Sequence, residues 1–134
     1  METISDKHTR TLNHHKATLN QVISALHSLP LKLDVAELPD ELYLLAIGKG
    51  SQKLLEAFTR SYKGAILDGI VLSPEPISIG NDQARLKKLT FFTGTHPLPS
   101  LENEASTLEI LRFIQKLPTG VSLVCLISGG TSSL

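Results

Sequence analysis

Three short segments carry the residue types that could do chemistry: Gly48-Lys49-Gly50-Ser51, Gly94-Thr95-His96-Pro97-Leu98-Pro99 and Ser128-Gly129-Gly130-Thr131-Ser132-Ser133. In the third, Gly129 and Gly130 let the backbone turn its N–H groups towards an anion, and the four flanking hydroxyls add donors. A helix starting directly afterwards would add its positive N-terminus, so phosphate is the natural ligand. A plain strand-to-helix turn also needs glycine for its angles, but it does not need four hydroxyls. Lys49 stands between two glycines. A cation there either neutralises a phosphate, or the charge developing on a transferring phosphoryl group, or is a solvated lysine in a turn. His96 is followed by Pro97 and Pro99, which fix the backbone around it. Its imidazole is then either a hydrogen-bond donor or proton carrier facing a cleft, or the cap of a rigid loop.

The common nucleotide motifs are missing. A P-loop, G-x-x-x-x-G-K-[ST], does not occur, and a dinucleotide fingerprint starting at Gly48 would need glycine where Lys53 stands. No G-x-S-x-G elbow surrounds Ser128, which argues against a hydrolase. His14 and His15 are neighbours with no carboxylate or cysteine at ligand spacing, so no metal site is expected. Cys125 lies within an apolar run and reads as an inert, buried thiol.

The composition narrows the field further. The chain has 134 residues, 13 basic and 13 acidic side chains and a formal net charge of zero. That balance gives no electrostatic footprint for nucleic acid, which needs a basic patch. Hydrophobic residues at 41% suffice for a core, and charged residues at 19% fall below the usual ~25%, so much of the chain should be buried. No stretch approaches the ~20 apolar residues that span a bilayer, and a lone cysteine requires no oxidising compartment. The expected setting is the cytoplasm, without membrane partners.

These segments need elements to position them. Four apolar runs, 43–47, 69–72, 89–92 and 121–127, are short, rich in Val, Ile and Leu and without alternation, as in parallel strands buried on both faces. Helical spacing marks the first 30 residues through Leu12, Leu19, Val22, Ile23 and Leu26, with Pro30 as the stop. It recurs over 51–62 through Leu54, Leu55, Phe58 and Tyr62. A third helix over 100–117, capped by Ser100, places Leu101, Ala105, Leu108, Leu111 and Ile114 on one face. Residues 73–88, with Pro74, Pro76, Gly80 and Asn81-Asp82, read as loop. Strands alternating with helices predict an α/β fold, a Rossmann-like and mostly parallel sheet with flanking helices, incomplete at its C-terminus. Each of the three segments begins where an apolar run ends. Parallel strands would bring them to one edge of the sheet, where doubly wound folds bind ligands.

In order, Leu45-Ala46-Ile47-Gly48-Lys49-Gly50, then the His96 segment, then Leu126-Ile127-Ser128 through Ser133 resemble a known family. They are similar to the N-terminal domain of the type-II glycerate kinases, the glycerate 2-kinase family whose C-terminal part is the MOFRL domain. The family pattern reads approximately A-[IV]-G-K-A, G-H-P-x-P-D and L-[IL]-S-G-G-G-S-A-L, and the resemblance covers nearly all of the chain. Gly50 stands for its alanine, Thr95 separates Gly94 from His96, Ser100 stands for its aspartate and Thr131 for its third glycine.

The resemblance implies transfer of the γ-phosphoryl group of ATP to D-glycerate, giving 2-phosphoglycerate, with Mg²⁺. It makes Lys49 and His96 the catalytic candidates. Gly48, Ser128, Gly129, Gly130, Thr131 and Ser132 become the phosphate- and nucleotide-binding ones. Because the family's chains are several times longer, residues 1–134 are expected to be the N-terminal part of that α/β domain. A MOFRL-like domain is then missing, and the 134 residues alone should not turn over. Two alternatives remain. One is a non-catalytic sugar-phosphate-binding module of the SIS type, which also uses a Ser/Thr/Gly loop after a strand. The other is a hydroxypyruvate reductase, against which the missing dinucleotide fingerprint argues.

Overall fold

Residues 41–47 offer apolar side chains to both sides of a strand, so a stable structure must cover both. In the computed structural model, which describes residues 4–80 and 83–134, it does. The strands β1 (Glu41–Ile47), β2 (Ala65–Ser73), β3 (Leu89–Thr93) and β4 (Leu123–Ile127) form one sheet in the order β3-β2-β1-β4. Every pairing is parallel. Leu44 pairs with Gly69 of β2 and Val124 of β4, and Gly69 pairs in turn with Leu89. Leu67 is an extra residue at the start of β2, where the register shifts between Leu42 and Tyr43.

Alternation along β1 divides the core in two. Leu42, Leu44 and Ala46 pack with Leu55, Phe58 and Tyr62 of α2 (Ser51–Ser61) and its C-cap, together with Val71, Leu89 and Leu126. On the other side, Leu45 joins Ile70, Leu72 and Ile110 of α4 (Leu101–Lys116). Helices on both faces of a parallel sheet make the α/β, Rossmann-like fold that the apolar runs predict. These residues form one compact unit, 31–134. Residues 1–30 form another, built on α1 (Ile4–Ser28). Its expected apolar stripe, Leu12, Leu19, Val22 and Ile23, is exposed, and the side chain of Leu26 lies outside the described residues. No described helix is long and apolar enough to cross a membrane.

Three expectations need correction. The 73–88 segment carries one helical turn, α3 (Gln83–Leu86), which buries Leu86. The Asn81-Asp82 pair lies outside the described residues. The helix α4 presents a different face from the predicted one. Asn103, Ser106 and Ile110 are buried, whereas Leu108, Leu111 and Ile114 are exposed and Leu101 is 80% exposed. The rotation of the helix follows its first turn: the Ser100 N–H donates to Asn103 Oδ1 at 3.1 Å, so the 103/106/110 stripe turns inward. Third, Cys125 is exposed rather than buried. It alternates towards the α4 side of β4, and α4 packs on β2 and β3 instead. The shielding that remains still holds its thiol above the ordinary value.

A polar staple closes the amino end of the sheet. Arg85 donates to the carbonyls of Thr59 and Tyr62, both at 2.8 Å, and to that of Gly64 at 3.3 Å, where α2 ends. The buried Tyr62 stacks on Phe58 at 5.0 Å and donates its hydroxyl to the Pro39 carbonyl at 2.7 Å. Truncating Phe58 to alanine should cost about 3–5 kcal/mol in urea unfolding, the range for a buried aromatic. Burial first, and then Asp40, raise the Tyr62 phenol above its ordinary 10.0, against the pull of Arg85. The folded state therefore keeps a proton that the unfolded chain loses. Stability should fall as pH rises through and beyond 10, and Tyr62→Phe should flatten that decline in denaturation midpoints measured from pH 8 to 11.

Candidate functional site

Strands β2 and β3 lie on one side of β1 and β4 on the other, so the order of the sheet reverses between β1 and β4. At such a switch point the connections leave a crevice outside the carboxyl ends. Ile47 and Ile127 are the last paired residues there, and hydrogen bonds continue past them. The Ser128 N–H donates to the Ile47 carbonyl at 3.0 Å and the Lys49 N–H to the Gly129 carbonyl at 2.9 Å. The Gly50 N–H donates to Ser128 Oγ at 2.8 Å. Thr131 Oγ1 donates to the Ser128 carbonyl at 2.6 Å. The first three of these bonds stitch the two loops together, and the fourth closes the second loop on itself.

That stitching requires glycine at 48. Its φ is 120°, and a Cβ there would stand 2.2 Å from Ser128 Oγ and 2.8 Å from the Ser128 carbonyl oxygen. Behind it, the fully buried Ser51 donates its hydroxyl to the Gly48 carbonyl at 2.6 Å and lies 3.1 Å from that of Leu72. Ser51 thus ties the first turn of α2 to the ends of β1 and β2. In the sequence it is only the last letter of a loop motif.

Of the four hydroxyls expected to serve an anion, two hold the turn itself: Ser128 accepts from Gly50, and Thr131 donates to Ser128. Ser132 is exposed, on a 3₁₀ turn at Thr131–Ser133, and the side chain of Ser133 lies outside the described residues. Gly130 takes the left-handed conformation, φ 85°, and no described non-glycine residue has positive φ. Thr131 therefore occupies its place without the backbone conformation that would demand a third glycine. Around Gly129 there is open space.

Lys49 and His96 come together over Gly130. A Cβ on that glycine would lie 3.0 Å from Cγ and Cε of Lys49 and 3.1 Å from Cδ2 of His96. Lys49 is exposed and His96 half-buried. Although β3 is the far strand of the sheet, its loop carries His96 inward over the ends of β2 and β1. The Gly94 N–H donates to the Ser73 carbonyl at 3.0 Å, which starts that crossing. A residue that no motif marks sits beneath the loop: Asn103, buried at 2% exposure, bonds to Thr95 and Ser100. An open hollow of about 560 Å³, lined by Pro99, Leu101, Glu104, Thr107 and Leu134 among others, flanks this loop. Lys49 and His96 do not line it, so the converging strand ends define the site rather than the hollow. Among the described residues no group of three or more His, Cys, Asp or Glu is placed to hold a metal ion.

A family model described as a domain of unknown function, DUF4147, matches residues 3–134. The chain belongs to that family. Neither a curated protein nor a solved structure matches it. In this DUF4147 domain, then, a lysine, a histidine and a glycine-rich turn converge from three different strand ends.

The glycines separate by position. Gly48→Ala meets both the clash and the positive φ and should cost about 1–3 kcal/mol in urea unfolding. Gly129→Ala, in open space, should stay within about 0.5 kcal/mol of the parent. Equal costs at the two positions would contradict the packing described.

Proposed function

We propose that this domain binds the phosphates of ATP and takes part in phosphoryl transfer to D-glycerate, giving 2-phosphoglycerate, as the N-terminal domain of a type-II glycerate kinase. The observation that carries this reading is the meeting of Lys49 and His96 over Gly130. An exposed ammonium, an imidazole and a left-handed glycine turn make a donor set for phosphate oxygens. The resemblance of the three motifs to that kinase family supplies the acceptor, and it runs over the same residues as the DUF4147 match.

The donor set fits the anionic end of a nucleotide. It offers Mg²⁺ no carboxylate, whereas the metal favours carboxylate, phosphate and water oxygens. The contribution of this domain therefore rests on the chain's own groups. Lys49 neutralises charge on the transferring phosphoryl group, in a position that becomes more valuable as charge spreads over its oxygens. His96 holds the acceptor by a hydrogen bond from an imidazole nitrogen, or receives its hydroxyl proton there.

A coupled ADP-release assay with D-glycerate and Mg²⁺–ATP tests the proposal. Turnover is expected from the complete gene product and not from residues 1–134 alone, since the resemblance assigns the rest of the site to later residues. Lys49→Ala in the complete product should lower kcat by about 10²–10³, the cost of one transition-state contact. Because Lys49 is exposed, its unfolding midpoint should hardly move. An inactive complete protein that still binds sugar phosphates would instead favour the SIS-type binding module.

A further inference from the structure

We propose that Asn103 is the positioning residue for His96, clamping both ends of the loop that holds the imidazole over Gly130; its consequence for turnover rests on the kinase reading above. The loop needs a clamp. Thr95, Pro97, Leu98 and Pro99 are exposed, and Leu98 is 78% exposed, so little packing holds the segment in place. One buried carboxamide spans it instead. Asn103 Oδ1 receives the Thr95 N–H at 2.8 Å on the near side and the Ser100 N–H at 3.1 Å on the far side. Its Nδ2 donates to the Thr95 carbonyl at 3.0 Å. Within the loop, Thr95 Oγ1 donates to the Leu98 carbonyl at 2.7 Å.

A helix cap alone does not account for this arrangement. Capping needs only the return bond to Ser100, which a side chain on the helix surface can make. Here the amide is turned inward, nine-tenths or more buried, and uses its second end on Thr95. Gly94 gives way to it: a Cβ at that position would stand 2.9 Å from Asn103 Nδ2. A glycine before the loop, an asparagine in the first turn of α4 and His96 between them therefore form one unit. Loops that must hold a reacting group within a fraction of an ångström depend on such supporting bonds.

The readout is the contact between the His96 ring and Gly130, followed by nuclear Overhauser effects from His96 Hδ2 to Gly130 Hα in the 134-residue chain. The parent should give this effect, with slow amide exchange at Thr95 and Ser100. Asn103→Ala should lose it while the strand amides stay protected. Asn103→Asp keeps the acceptor oxygen but puts an oxygen against the Thr95 carbonyl where Nδ2 donates, so it should keep slow exchange at Ser100 and lose the ring contact. Persistence of the effect in a folded Asn103→Ala protein overturns the proposal, as does rapid exchange at Thr95 and Ser100 in the parent. If the alanine variant does not fold, the aspartate variant and the parent's exchange rates decide. None of these measurements needs a substrate. In the complete gene product, Asn103→Ala should lower kcat for ADP release by about 10²-fold, the cost of a misplaced group. If the ring contact behaves as expected but the complete parent releases no ADP, the positioning role stands and the kinase reading falls.

Discussion

The close approach of Gly48 to Ser128 governs the rest of this molecule's chemistry. Two parallel strands end side by side, and each then turns away to a different element. Without a gap between them, the two turns share one space, and only a residue lacking Cβ can let the other's backbone through. Once they share it, Ser128 accepts from Gly50, Lys49 bonds to Gly129, and Thr131 closes the second turn. The lysine is thereby held at its backbone while its side chain stays free to reach a ligand.

The same interaction reassigns the hydroxyls. A cluster of four looks like a cradle for an anion, but a turn of this kind has carbonyl and N–H groups of its own to satisfy. Ser128 and Thr131 serve those first. What is left for a ligand is the open space at Gly129, the exposed Ser132, and the side chains of Lys49 and His96. The site is therefore built more from backbone and cation than from hydroxyl groups.

Much of the fold was legible in the residues. Short unbroken apolar runs can be satisfied only by cover on both faces, and the four strands fall where those runs lie. The helix that follows β1 also buries the stripe its spacing marks, through Leu55, Phe58 and Tyr62. The face of α4 was not legible, because its spacing supports two stripes. Leu101, Leu108 and Leu111 form the more apolar one. The buried one contains Asn103 and Ser106, because a hydrogen-bonded first turn sets the rotation of the helix. Cys125 departs from expectation for a related reason. An apolar residue in a strand is buried only where a helix covers that side, and the sequence does not say which strands a helix will cover.

By itself, then, the sequence determined the residue types of the site and the strand ends on which they sit. Local chemistry suffices for that: glycines break the runs, prolines stiffen the His96 loop, and the apolar runs define the strands. Only the tertiary structure decided which of those residues meet. The reversal of strand order beside β1 sets the turns after β1 and β4 side by side, and the loop from the far strand crosses two others before His96 arrives at Gly130. Ser51, only the last letter of its motif, and Asn103, which no motif marks, hold that arrangement, because buried hydrogen bonds link backbone segments that are remote or only loosely tied along the chain. Such partners are chosen by packing in three dimensions, where spacing along the sequence carries no record of them.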